Sequence, residues 1–226
     1  MIYLDEVTKI YKTGEESLKD VTLNIEKGEF VSIVGFSGAG KTTLLKLILG
    51  EIKPTKGSVY FNSVNISKLN QSKLNKHRRN IGTVFQDFRL VYNKNVYENV
   101  AFAMEAAGKS NEEVKKTVPH VLKLVGLEDK GRRFPNELSG GEKQRASIAR
   151  AIVNNPDVII ADEPTGNLDP INTTDIMELL KKINSFGTTV ILATHDKGIV
   201  NTLRKRVVTI TNGKITKDDK EGTFVL

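Results

Sequence analysis

The chain has 226 residues, with 34 Lys and Arg against 27 Asp and Glu, and 38% of its residues are hydrophobic, enough to bury the core of one domain. There is no cysteine, which excludes a disulfide framework, and no apolar run approaches the length of a membrane span. The formal charge of +7 is spread along the chain, with small clusters at 76–79 and 203–206, and reads as a solvated surface plus an anion site rather than a dedicated polyanion face.

A strand pattern starts at Ile2 and runs to about Val7, so no signal peptide is expected. Val21 to Ile25 alternates as a second strand. Between them stands Tyr11, an aromatic suited either to stacking on a purine ring or to half-burial beside a strand. Glu26 to Glu29 reads as a turn into the apolar run Phe30 to Val34.

Gly35-Phe36-Ser37-Gly38-Ala39-Gly40-Lys41-Thr42 follows that run and precedes the apolar helix pattern Leu44 to Ile48. Strand, glycine-rich loop and helix together make a phosphate-binding loop. Its glycines admit an anion close to the backbone, and the helix N-terminus presents amides to it. Lys41 supplies a point charge for the β- and γ-phosphates, and Thr42 a hydroxyl for Mg²⁺.

Pro54 to Gly57 is a turn, Ser58 to Phe61 a strand, and 68–79 a polar, basic surface helix. Ile81 to Phe85 forms a short strand ending at Gln86. From 88 to 130 the pattern becomes helical. Asn95 to Val100 opens one helix, and Ser110 to Glu113 has the form of a capping box before a second. Pro119 predicts a kink or break in that second helix, and Gly126 its end.

Leu138-Ser139-Gly140-Gly141-Glu142 is a second glycine turn feeding a helix, with Ser139 as N-cap. Val158 to Ala161 is a buried strand ending in Asp162 and Glu163. These acids stand at the carboxyl end of an α/β strand, Asp162 suited to a metal and Glu163 to polarising a water. Asp169 caps a helix that begins at Pro170 and ends near Gly187. Thr189 to Thr194 is a strand with His195 at its end. Val207 to Ile210 and Lys214-Ile215 form a hairpin about Asn212-Gly213, and the tail from Asp218 is expected to be loosely held.

In order along nearly the whole chain, these motifs resemble the nucleotide-binding subunits of ABC transporters, above all in Leu-Ser-Gly-Gly-Glu-Lys-Gln-Arg at 138–145. The resemblance implies an α/β P-loop NTPase with a mixed core sheet, an antiparallel β lobe and a helical lobe. It implies one domain over 1–226, with the nucleotide-binding core and β lobe at 1–86 and 156–226 and the helical lobe at about 87–155. Tyr11 would stack on adenine. Gly35, Ser37, Gly38, Ala39, Gly40, Lys41, Thr42 and Thr43 would hold the phosphates of ATP. Thr42, Gln86 and Asp162 would serve Mg²⁺, and Gln86 also the attacking water. Glu163 would act as general base and His195 would touch the γ-phosphate. Ser139, Gly140 and Gly141 would close over the nucleotide of a second protomer, and Asp169 would communicate across that homodimer.

Ala161 to Asp169 is similar to the branch that includes lipoprotein-release and macrolide-export ATPases and the FtsE cell-division ATPases. Val84 to Leu90, Thr43 to Ile48 and Ala149 to Asn154 look most like the FtsE members. That similarity implies an FtsX-like integral membrane partner, a peripheral place on the cytoplasmic face of the membrane, control of cell-wall hydrolases, and no nucleic-acid partner. An exporter or lipoprotein-release ATPase is the alternative. Phe36 in the phosphate loop and the stretch Leu90 to Asn95 depart from the usual pattern.

Overall fold

A computed structural model describes residues 1–222. In chain order its elements are β1 (Ile2–Ile10), β2 (Glu16–Ile25), β3 (Phe30–Val34), α1 (Lys41–Ile48), β4 (Lys56–Phe61), β5 (Val64–Asn65), α2 (Gln71–Arg78), β6 (Ile81–Phe85), α3 (Val96–Ala106), α4 (Asn111–Leu124), α5 (Gly140–Ile152), β7 (Val158–Asp162), α6 (Pro170–Ser185), β8 (Thr189–Thr194), α7 (Lys197–Leu203), β9 (Arg206–Thr211) and β10 (Lys214–Asp219). The chain forms two compact units. One comprises Met1–Arg78 and the chain from Gly187 onward, the other Arg79–Phe186.

In the first unit β1 pairs antiparallel with β2 and with β4, and β4 pairs antiparallel with β5. Ile2 and Leu4 turn inward with an exposed residue between them, as expected for a sheet with one wet face. The pairing shifts between Leu4 and Val7, where Glu6 takes φ 46°, and past this bulge β1 runs on to Ile10. A second sheet places β3 parallel to both β8 and β9, with β10 antiparallel at β9. Every residue of β3 and β8 is buried, which explains why both are largely apolar, with Ser32, Thr189 and Thr194 the polar exceptions.

The helix after the phosphate loop buries Leu44, Leu45, Leu47 and Ile48. Its C-terminal carbonyls are closed by α2. His77 Nε2 donates to the Ile48 carbonyl at 2.8 Å, Arg78 Nε to Leu49 at 3.2 Å and Arg78 Nη2 to Gly50 at 2.8 Å. The basic surface helix expected here thus also buries Leu74 and His77, and the His77 ring meets Phe61 edge-on at 4.8 Å.

The loosely held tail expected from Asp218 is corrected at its start. Asp218 and Asp219 end β10, because Arg206 forks onto both Asp218 oxygens at 2.7 Å and reaches Glu29 at 2.9 Å. Residues 223–226 of that tail lie outside the described residues.

In the second unit β6 and β7 run parallel, with Phe85 opposite Asp162. Helices α3, α4 and α5 each begin with a full capping box, at Asn95 and Glu98, Ser110 and Glu113, and Ser139 and Glu142. Helix α4 runs unbroken through Pro119, so of the kink or break expected from sequence the break does not occur. Val114, Val118 and Leu122 face inward while Pro119 is exposed, so the carbonyl that proline leaves unpaired opens to solvent and the buried stripe holds the helix together. Gly126 ends the helix as expected, at φ 69°, with its N–H on the Lys123 carbonyl and the Leu127 N–H on Leu122.

Candidate active site

In the first unit the phosphate loop joins buried β3 to α1. Lys41 folds back over the loop, its Nζ donating to the carbonyls of Gly35 at 2.7 Å and Phe36 at 3.1 Å. Its ammonium is thereby held inside the ring of backbone that an anion would fill, with only 8% of the residue exposed. Gly40 precedes α1 at φ 111°, and a Cβ there would lie 2.6 Å from the Ser17 carbonyl, so no other residue fits. Ala39 is buried, its N–H donating to Phe36, while Ser37 and Phe36 are exposed. Gly38 takes φ 79°. Tyr11 lies just past β1, half-buried, with its hydroxyl 3.1 Å from Thr43 Oγ1. His195 follows β8 directly and is exposed, and Asp196 beyond it caps α7.

In the second unit Gln86 and Glu163 each follow directly on a strand end, because Phe85 and Asp162 are paired. Gln86 is exposed and tied to Asn167. Its Nε2 donates to Asn167 Oδ1, and Asn167 Nδ2 donates to the Gln86 carbonyl, both at 3.3 Å. Glu163 takes φ 49°, a left-handed conformation uncommon for a side-chain-bearing residue and typical of strain kept at working sites.

Ser139 caps α5, accepting the Glu142 N–H at 3.2 Å, while the Ser139 N–H donates to Glu142 at 2.8 Å. That backbone bond, with Lys130 beside it, holds the Glu142 carboxyl below its usual range. Gly140 and Gly141 form the first turn of α5, leaving amides at a helix N-terminus. A Cβ on Gly141 would collide with the Asn172 side chain, whose amide hydrogens serve Asp169. Asp169 is exposed and accepts the Asn172 N–H at 3.0 Å. That backbone bond and the Asn172 side chain lower its carboxyl below the ordinary value.

Two buried side chains of this unit, Asn99 and Gln144, and the half-buried Arg150 were given no role of their own in the sequence. Asn99 accepts the Val91 N–H at 2.7 Å and donates to the carbonyls of Val91, Lys94 and Asn95, tying the segment after Gln86 to α3. Arg150 donates to the carbonyls of Phe88 and Arg89. Gln144 donates to Phe85 and Pro164. Each is a polar residue inside an apolar helical pattern, the one signal that was available.

The family model described as ABC transporter matches residues 18–166. The chain belongs to the ABC transporter family. It is an ATP-hydrolysing ABC cassette and shares that fold. This ABC ATPase is 51% identical over 224 residues to a protein of Bacillus subtilis named cell division ATP-binding protein FtsE, covering 99% of this chain and 98% of that one. Its identity to the FtsE protein of Mycobacterium tuberculosis is 50%, over 99% and 98% of the two chains. Among solved structures it resembles a dimeric ATP-binding cassette in a post-hydrolysis state bound to ADP and Pi, at TM-score 0.88 and 42% identity, covering 99% of this chain and all of that one.

Proposed function

We propose that this ABC ATPase drives a cell-division complex, acting with an FtsX-like integral membrane protein to control cell-wall hydrolases. The observation that carries this reading is identity of about half, over nearly the full length of both chains, to proteins named cell division ATP-binding protein. Among the described residues no helix is long and apolar enough to cross a membrane, so attachment to the cytoplasmic face would come through the partner.

ATP is the substrate. The proposed roles are those that the chemistry of each residue suits. Tyr11 stacks on the base. The loop from Gly35 to Thr43 holds the phosphates, with Lys41 offsetting their charge. His195 touches the γ-phosphate and Gln86 orients the attacking water. Glu163 accepts its proton, and in-line displacement of ADP follows. Ser139, Gly140 and Gly141 present α5 amides to the nucleotide held by a second copy of the chain, and Asp169 lies at that homodimer contact. Hydrolysis then depends on association.

Thr42, Gln86 and Asp162 would hold Mg²⁺. Their donors are all oxygen, as this hard cation requires, and no cluster of three or more His, Cys, Asp or Glu exists among the described residues. When bound, Mg²⁺ neutralises charge on the β- and γ-phosphates.

The test is capture of the tagged Glu163→Gln protein from its native membranes in the presence of ATP, with mass spectrometry of what comes with it. Recovery of a four-span FtsX-like protein supports the division role. Recovery of an exporter permease replaces that role and leaves the ATPase intact.

A further inference from the structure

No motif marks Ser17, yet it touches the phosphate loop in two ways. Its hydroxyl lies 2.8 Å from Thr43 Oγ1, the same atom that stands 3.1 Å from the Tyr11 hydroxyl. Its backbone is locked in place by two glycines. A Cβ on Gly40 would come to 2.6 Å of the Ser17 carbonyl, and one on Gly213 to 2.8 Å. Gly213 is the tip of the β9–β10 hairpin, at φ 75°. Its N–H donates to the Ala39 carbonyl in the loop at 3.0 Å, and its carbonyl accepts the Lys19 N–H at 2.8 Å. The end of the chain thus clamps the start of β2 onto the phosphate loop.

Proton accounting gives this arrangement a consequence. The Thr43 oxygen has one proton and two lone pairs, and only 7% of the residue is exposed, so its two hydroxyl neighbours dominate its hydrogen bonding. When Tyr11 and Ser17 both donate, they fill the lone pairs and the Thr43 proton is left to face an anion. When Thr43 donates to either neighbour, it presents a lone pair to that anion and repels it. A phenol is the more acidic hydroxyl and the better donor, which favours donation by Tyr11, and an anion beside Thr43 draws the Thr43 proton to itself and so favours donation by Ser17.

We propose that Ser17 is a positioning residue for phosphate binding: together with Tyr11 it donates to Thr43 and thereby turns the Thr43 hydroxyl proton toward a phosphate oxygen of the nucleotide. This rests on the reading of residues 35–43 as the ATP phosphate loop. It assigns to Tyr11 a second task, carried by its hydroxyl rather than its ring.

The experiment measures equilibrium binding of ATP and of inorganic tripolyphosphate, which has no base, to the full chain and to its Ser17→Ala, Ser17→Thr, Tyr11→Phe and Lys41→Ala variants, with melting curves alongside. Ser17→Ala is expected to weaken both ligands by the same factor, about 5-fold, the worth of one ordinary hydrogen bond. Ser17→Thr should restore both, and Tyr11→Phe should weaken tripolyphosphate although its ring is intact. Native affinity of Ser17→Ala for both ligands overturns the proposal. So does a loss that follows melting temperature and is not restored by Ser17→Thr. If Lys41→Ala binds both ligands as the native chain does, the phosphate-loop reading itself fails and takes the proposal with it.

Discussion

Gln144 donates through one buried amide nitrogen to the carbonyl of Pro164 at 2.6 Å and to that of Phe85 at 3.3 Å. Those carbonyls belong to the residues next to Glu163 and Gln86. One side chain on α5, about one and a half turns from Ser139, therefore holds the backbone at both proposed water-handling positions. Its Oε1 is buried without a partner, so the amide is kept for its donors at some cost.

Replacing Gln144 by Met keeps the volume and removes the donor. The buried Pro164 carbonyl and the part-buried Phe85 carbonyl then lose a partner, at a cost of about 1–3 kcal/mol. A melting temperature lower by several degrees is expected, read by calorimetry, with a fall in kcat larger than the change in KM for ATP.

Arg150 reaches the carbonyls of Phe88 and Arg89, which stand at φ 57° and 47°. Two consecutive side-chain-bearing residues in the left-handed region persist only where the surroundings hold them. Lysine has no planar fork to serve both carbonyls. Arg150→Lys should therefore loosen 86–91. Faster amide exchange across that segment and faster tryptic cleavage after exposed Arg89 are the expected readings. Unchanged exchange there would show that Asn99 suffices to hold the segment.

His77 is buried beside the end of α1, and burial, with Arg78 adding to it, pulls its pKa below the ordinary histidine value despite the Ile48 carbonyl. On unfolding it regains that ordinary value, about 6.5. Below that pH the unfolded chain binds a proton that the folded chain refuses, so this contribution to stability is complete above it and falls as pH falls. Urea unfolding at a series of pH values from 7.5 to 5.5 should show a steeper loss for the native chain than for His77→Gln. Equal slopes would mean the buried ring does not titrate as assigned.

Glu163→Gln removes the proposed proton acceptor and keeps the side chain's shape. Turnover should fall roughly 10²–10⁴-fold while ATP binding survives. Phosphate release reads the first effect. Size-exclusion chromatography with ATP reads the second, as a dimer that persists in the variant. Normal steady-state turnover would remove Glu163 from the role of general base.

The glycine-rich loop between β3 and α1, the glycine turn at Ser139 and the strand end at 162–163 were legible as structure because each lies in consecutive residues. Their chemistry depends on local backbone: a glycine turn, a helix N-terminus, a strand end. The same holds for the caps at Ser110, Ser139 and Asp169, where donor and acceptor are three residues apart. Pro119 does not break α4, because local chemistry sees a missing N–H and not the buried stripe of Val114, Val118 and Leu122 that keeps the helix whole.

The sequence by itself determined the family and most of the strands and helices, since periodicity and short motifs act over a few residues. Only the tertiary structure decided what holds those motifs in shape. Ser17 meets Thr43 across 26 positions, Gln144 meets Phe85 across 59, and Arg150 meets Phe88 across 62. A hydrogen bond is directional and short, so partners this far apart in the chain become partners only when the fold brings their atoms within about 3 Å.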